Sequence, residues 1–225
     1  MSFFTQAYLD FFLELSANNH KEWFDANRQR YEQHVKKPFE LFVARLIAGT
    51  QAIDPRIQIQ PRDAIFRINR DIRFSADKTP YKTNRSAVIG LGGRRQYDIP
   101  GYYIQLGPDY LWIGGGLYGM DKALLGRARS NMAAEPGAID ALLAQPAFKK
   151  YYGGQLLGEK SKVLPRAYKE LADRQPLLYH KYWYYMAELK DTSPMLAPDF
   201  DQLVLAHFAA GREVNAYLES LVAAE

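Results

Sequence analysis

The sequence predicts an α+β protein in which a central antiparallel sheet of short strands is flanked by N-terminal and C-terminal helices. Three observations carry this expectation. Apolar residues recur at helical spacing through residues 1–50, short alternating runs divided by glycine turns fill 56–117, and helical spacing returns after residue 120. Strands joined by tight turns favour antiparallel pairing, and helices gathered before and after them define the class.

The elements follow in order. Phe4, Tyr8, Phe11, Phe12 and Leu15 form one helical stripe with Thr5 as N-cap. Asn18 and Asn19 make a turn, Asn19 with Glu22 resembles a capping box, and the two amides are available to a polar site. A second helix aligns Trp23, Asn27, Tyr31 and Val35; Pro38 is expected to kink or restart it before Phe39, Phe42 and Leu46 continue to Gly49. Trp23 and Tyr31 are read as core, since a helical stripe packs inward.

Alternation begins at Ile57 and Ile59, resumes in Ser86–Leu91, pauses at a Gly92–Gly93 loop carrying Arg94 and Arg95, and returns in Tyr102, Ile104 and Leu106. Gly107-Pro108-Asp109 turns the chain into Tyr110–Ile113. Three helices are expected at Asp121–Ala133, Pro136–Ala144 and Pro146–Tyr152, then a flexible connection at Gly153–Pro165. The run Tyr182-Trp183-Tyr184-Tyr185 belongs to a strand over 178–189 rather than to a base-stacking platform, because strands favour aromatic residues. A C-terminal helix over 199–222 aligns Phe200, Leu203, Val204, His207, Val214, Leu218 and Leu221, with His207 a core histidine. No repeat, low-complexity tract or linker interrupts the chain, so residues 1–225 are expected to form a single domain.

Composition narrows the function. At 48% hydrophobic residues the chain can bury a sizeable core, and the lack of cysteine removes disulfides, thiolate metal sites and a cysteine nucleophile. Asp10 and Glu14 interrupt the apolar N-terminus, which no basic segment precedes, and no run reaches the length of a membrane span. No signal peptide, no membrane association and a cytoplasmic location are the expectations. A pI near 9.1 is weak for a surface that tracks nucleic acid along its length.

Charge is concentrated in one place. Residues 62–95 hold nine basic side chains against three acidic ones, an excess of six in a chain whose total is +4, so the remainder carries −2. At its centre, Phe66–Lys82 (FRINRDIRFSADKTPYK) packs Arg67, Arg70, Arg73, Lys78 and Lys82 among Asp71, Asp77 and Tyr81. Read as a strand, Phe66, Ile68, Ile72 and Phe74 share an apolar face and Arg67, Asn69, Asp71 and Arg73 the other. Arg70 breaks the pattern, so a bulge or turn is expected to re-aim it before the turn-rich Ser75–Pro80. Two readings of the cluster stand side by side. In one, Asp71 and Asp77 bridge the arginines as a structural network; in the other, surplus cations await an anion, which guanidinium forks grip in bidentate fashion. If Asp71 is a buried brace its loss is costly, whereas Lys78 and Lys82, beyond the turn, are expected to serve a ligand.

The pattern R-x-x-R-D-x-R-F-S-x-D-K-x-P-Y-K, together with the run Phe12–Tyr31, resembles the signature of the domain of unknown function 2461 family. The resemblance extends over nearly the whole chain. It marks Gly101-Tyr102-Tyr103, Gly114–Gly116, Arg129 and Lys181 as further positions of interest, and Arg129, Lys181 and Asn19 are secondary site candidates. Pro165-Arg166-Ala167-Tyr168 departs from the family's Pro-Arg-Gly-aromatic pattern, and alanine uses positive φ less freely than glycine. The family implies a fold but no settled activity.

Catalytic motifs are missing. His20, His34, His180 and His207 have no His-x-x-x-His spacing, so no metal site is expected, and nucleophile-elbow, phosphate-loop and kinase signatures are absent. Gly114-x-Gly116-x-x-Gly119 formally fits a dinucleotide fingerprint but lacks the parallel βαβ setting; glycines that let a strand pass close to another backbone explain it better. Neither a reaction nor a cofactor is legible. The cluster has three expected uses: binding of a small anionic or phosphorylated ligand; a structural or protein-interaction domain braced by ion pairs; and a nucleic-acid module that adds Arg94, Arg95 and exposed tyrosines on the sheet. The near-neutral remainder favours a compact site over an extended track.

Overall fold

The computed structural model describes residues 2–223. It has the α+β architecture expected. The chain divides into two compact units, one comprising Met1–Arg94, Tyr103–Trp112 and Glu188–Leu205, the other Arg95–Tyr102, Ile113–Ala187 and Ala206–Glu225.

In the first unit, helices α1 (Gln6–Ala17), α2 (Lys21–Ala26), α3 (Arg28–Tyr31) and α4 (Lys37–Gln51) precede a short α5 (Pro61–Ala64). Helix α1 buries Tyr8, Phe11, Phe12 and Leu15, as its spacing predicts. Thr5 holds the N-cap position without a side-chain bond. The cap of α2 lies one residue beyond the expected Asn19: the His20 ring accepts from Trp23 N at 3.4 Å. One π turn, Glu32–Lys36, leads into α4, where Pro38 offers no N–H to the preceding turn; a widened turn is one way a helix absorbs that loss. Phe42 is fully buried, packs edge-on against Phe3 and Phe4, and stacks on Phe200 at 5.1 Å. Such pairs add about 0.5–1.5 kcal/mol beyond area burial, and truncating a buried Phe to Ala costs about 3–5 kcal/mol.

The alternation expected from Ile57 forms no strand. Asp63 accepts from Gln60 N at 3.1 Å and a helical turn starts at Pro61, whose missing N–H is harmless there. The sheet proper comprises β1 (Arg85–Ile89), β2 (Gly101–Leu106), β3 (Leu111–Leu117) and β4 (Trp183–Leu189), antiparallel and in the order β1-β2-β3-β4. The expected turn after β2 is closed by Gly107 N donating to Tyr110 O at 3.0 Å.

The second unit contains α6 (Lys122–Ala134), α7 (Ala138–Leu143), α8 (Pro146–Tyr152), the short α9 (Lys169–Ala172) and the later part of α10 (Phe200–Val222). Its core gathers Leu117, Met132, Ile139, Phe148, Trp183, Tyr185 and Leu218. The strand expected over 178–189 starts only at Trp183, because Pro176–Tyr179 coils into a 3-10 turn. Alternation then buries Trp183 and Tyr185 and leaves Tyr182 and Tyr184 partly exposed. Gly116 sits at φ +125°, where a Cβ would stand 2.4 Å from Trp183 O, so this glycine does permit close backbone approach. His207 is buried beside Tyr151, ring centres 4.4 Å apart. Among the described residues no helix is long and apolar enough to cross a membrane.

Candidate functional site

Residues 65–70 run against 80–87 as an irregular hairpin in the first unit. Ile65 bridges Ala87 and Asn69 bridges Tyr81, both antiparallel. Phe66 N donates to Ser86 O (3.0 Å), Lys82 N to Ile68 O (2.9 Å) and Arg70 N to Pro80 O (2.9 Å). The break expected at Arg70 is where extended pairing ends, but the strand faces drawn through Phe74 do not continue past it, because the chain turns at Arg73–Phe74. The apolar face fails with it. Ile68 is buried, Phe66 and Ile72 are half-buried, and Phe74 is 96% exposed. The hairpin is moored by Asn19, whose Nδ2 donates to Tyr81 O (2.9 Å) while its Oδ1 accepts from Tyr81 N (3.1 Å). The Tyr81 ring is buried, stacked on Phe24 at 4.0 Å.

At the tip every cation has a partner within the chain. Arg70 donates to Asp77 and to the Thr79 hydroxyl. Asp77 also accepts from Thr79 N and Oγ1, each at 2.9 Å. Arg73 clamps Asp71 through Nε (2.9 Å) and Nη2 (2.7 Å), and Lys78 donates to Ile72 O at 3.0 Å. The Arg73 guanidinium and backbone N–H lower the Asp71 pKa to about 2; Arg70, followed by Thr79, does the same for Asp77. Both carboxylates are exposed, so Asp71 is not a buried brace, and exposed pairs contribute little to stability.

The base of the hairpin is different. Arg67 is exposed, Lys82 half-buried and Arg85, the first residue of β1, only 5% exposed, yet among the described residues none of their side chains meets a carboxylate or a hydrogen-bond acceptor. The Arg85 Nε is fully enclosed without a partner. Its guanidinium lies 5.5 Å from the centre of the Phe39 ring, and the Lys82 ammonium 5.3 Å from that of Phe66. Burial, then the charges of Arg85 and Arg67, depress the Lys82 pKa, so both arginines repel the Lys82 ammonium. Cation–π contact contributes about 0.5–2 kcal/mol, whereas an uncompensated buried charge costs several.

Arg85 falls in the basic stretch, and charge alone does not single it out there. The available signal was parity: Arg85 alternates with Ala87 and Ile89, both buried, so a strand read from Arg85 rather than Ser86 puts an arginine on the buried face. The other candidates are dispersed. Arg94 donates to Arg62 O, Lys181 pairs with Glu159, and Arg129 is buried in the second unit. Asp121 caps α6 by accepting from Leu124 N (2.8 Å), which places a carboxylate at that helix N-terminus. A groove of about 710 Å³ is lined by Lys37, Glu40, Leu41, Ala44, Gln60, Pro61 and Arg62, two bases against one acid and none of the three base cations. Among the described residues no three His, Asp or Glu side chains group to hold a metal ion.

A family model described as "Conserved hypothetical protein (DUF2461)" matches residues 7–217. The chain belongs to this family. The match takes in the whole hairpin, α6 and β4, and therefore both buried arginines. No curated protein and no solved structure matches the chain.

Proposed function

We propose that this protein binds a small oxyanion, a phosphate or the phosphoryl group of a metabolite, at the base of the 65–87 hairpin, in the cytoplasm as the sequence leads one to expect. Arg85 is the inner contact, and Lys82 and Arg67 approach from the more exposed side. The single observation that carries this reading is Arg85, a buried guanidinium whose Nε has no partner and to which the described residues supply no counter-charge. An oxyanion accepts from that group in bidentate fashion and relieves the repulsion that both arginines exert on the Lys82 ammonium. The self-paired tip favours a structural role for Arg70, Arg73 and Lys78, so those residues are assigned to the hairpin and not to the ligand.

Thermal denaturation with phosphate, sulfate and a panel of phosphorylated metabolites, at matched ionic strength, tests the proposal. A ligand at about 100 times its Kd raises stability by about 2.7 kcal/mol, and Arg85→Met removes the part of the response that comes from the hairpin. If no anion stabilises the wild-type protein, the cluster serves the fold alone.

A further inference from the structure

The second unit holds another guanidinium without a counter-charge, and the observation is independent of the hairpin. Arg129, on α6, is 7% exposed. Its Nη2 donates to Ser161 Oγ (2.8 Å), His180 O (3.2 Å) and Tyr179 O (3.4 Å), all neutral acceptors. Among the described residues no carboxylate contacts it, and its Nε is enclosed without a partner. His180, whose carbonyl touches Arg129, is 6% exposed, and its ring Nδ1 is also enclosed and unpartnered.

The 153–165 connection closes over this spot. Leu157 bridges Tyr184 and Lys160 bridges His180. Gly158 passes so near that a Cβ there would stand 3.0 Å from the His180 Nδ1 and 2.1 Å from Tyr182 O. The charged and titratable groups that act here are Arg129, His180, Lys160 and Tyr168, and the neighbouring acid, Glu159, is engaged by Lys181. Tying α6 to residues 161 and 179–180 accounts for Nη2. It accounts neither for the Nε nor for a buried positive charge that costs several kcal/mol when left uncompensated.

We propose a second oxyanion site in this unit, in which Arg129 and His180 hold a phosphate or carboxylate group under the 153–165 connection, with Lys160 as the outer cation. Arg129 supplies the charge through its remaining N–H groups, and the imidazole donates from Nδ1 in the corresponding tautomer.

The test uses the full-length Arg85→Met protein, which lacks the inner contact of the first site, and follows the imidazole nitrogens by long-range ¹H–¹⁵N NMR. His180→Gln assigns the resonance. Inorganic phosphate and acetate are titrated separately at constant ionic strength. The expected result is a saturable shift of the His180 nitrogens, absent from His20 and His34, with phosphate or acetate giving the tighter curve and so naming the group. Lys160→Gln, a change at an exposed position, weakens that binding about tenfold, as loss of one charge-assisted contact does. No saturable movement of His180 with either anion overturns the site and leaves Arg129 a structural tie. Because the first site is already removed, its failure leaves this readout unaffected.

Discussion

The tip and the base of the 65–87 hairpin are built from the same kinds of residue and treat them in opposite ways. At the tip, Arg70, Arg73 and Lys78 are exposed or half-buried and each is held by a carboxylate, a hydroxyl or a carbonyl close in sequence. At the base, Arg67, Lys82 and Arg85 become steadily more buried and none is held. The polypeptide has thus placed the hairpin's two acids, Asp71 and Asp77, where water already screens the charge, and left the least solvated cation without one. A count of charges sees a single patch. The distribution of partners divides it into a self-sufficient turn and an electrostatic deficit.

The largest expected effect lies at the base. Arg85→Met should raise the Kd of the hairpin site by well over tenfold and remove its share of the anion-induced stabilisation, while ligand-free stability stays level or rises by up to roughly 3 kcal/mol because an uncompensated charge leaves the interior. Urea denaturation in phosphate-free buffer, with and without anion, reads both. A variant that unfolds more easily without ligand would erase the distinction drawn above. Lys82 gives the next effect. Its folded pKa is depressed below the ordinary 10.5, so the unfolded chain binds more protons between the two values, and ligand-free stability should climb as pH rises through that window. A bound oxyanion reverses the shift, so binding at alkaline pH should take up protons. Calorimetry in buffers of different ionisation enthalpy measures that uptake.

At the tip the effects should be small. Arg73→Gln and Lys78→Gln should change anion affinity less than about twofold, as screened surface charges do. Asp71 and Asp77, each lowered to about 2, contribute stability that is complete above the ordinary carboxyl value of 3.8 and lost as pH falls through the folded value. Asp71→Asn should therefore flatten the acid limb of the stability profile slightly and lower the urea midpoint at neutral pH by the same small amount, because the pair is exposed to water. A strong loss at neutral pH would restore Asp71 as a brace.

These contrasts also explain how much was legible from residues alone. Helical stripes such as Phe4–Leu15 and Phe200–Leu221 were legible because 3.6-residue periodicity encodes a buried face directly. The cation surplus was legible because it is a count. The pairing of Arg70 with Asp77 was not, since it depends on where the turn falls; Phe74 looked like a strand residue until the chain reversed beside it. Arg85 needed the register of β1 and the position of Phe39 on α4, which is long-range information. Arg129 was marked only by resemblance, and the loop that closes over it carries no periodicity.

The exposure of Phe74 has a further consequence for the integrity of the chain. Arg73 and Phe74 stand at the surface at a turn, the kind of place where proteases nick folded chains first. The contacts of Arg70 with Asp77 and Thr79, and the bridge from Asn69 to Tyr81, cross such a cut. After it, Arg67 would belong to one polypeptide and Lys82 and Arg85 to another, and an oxyanion held by all three would become the clasp between two fragments.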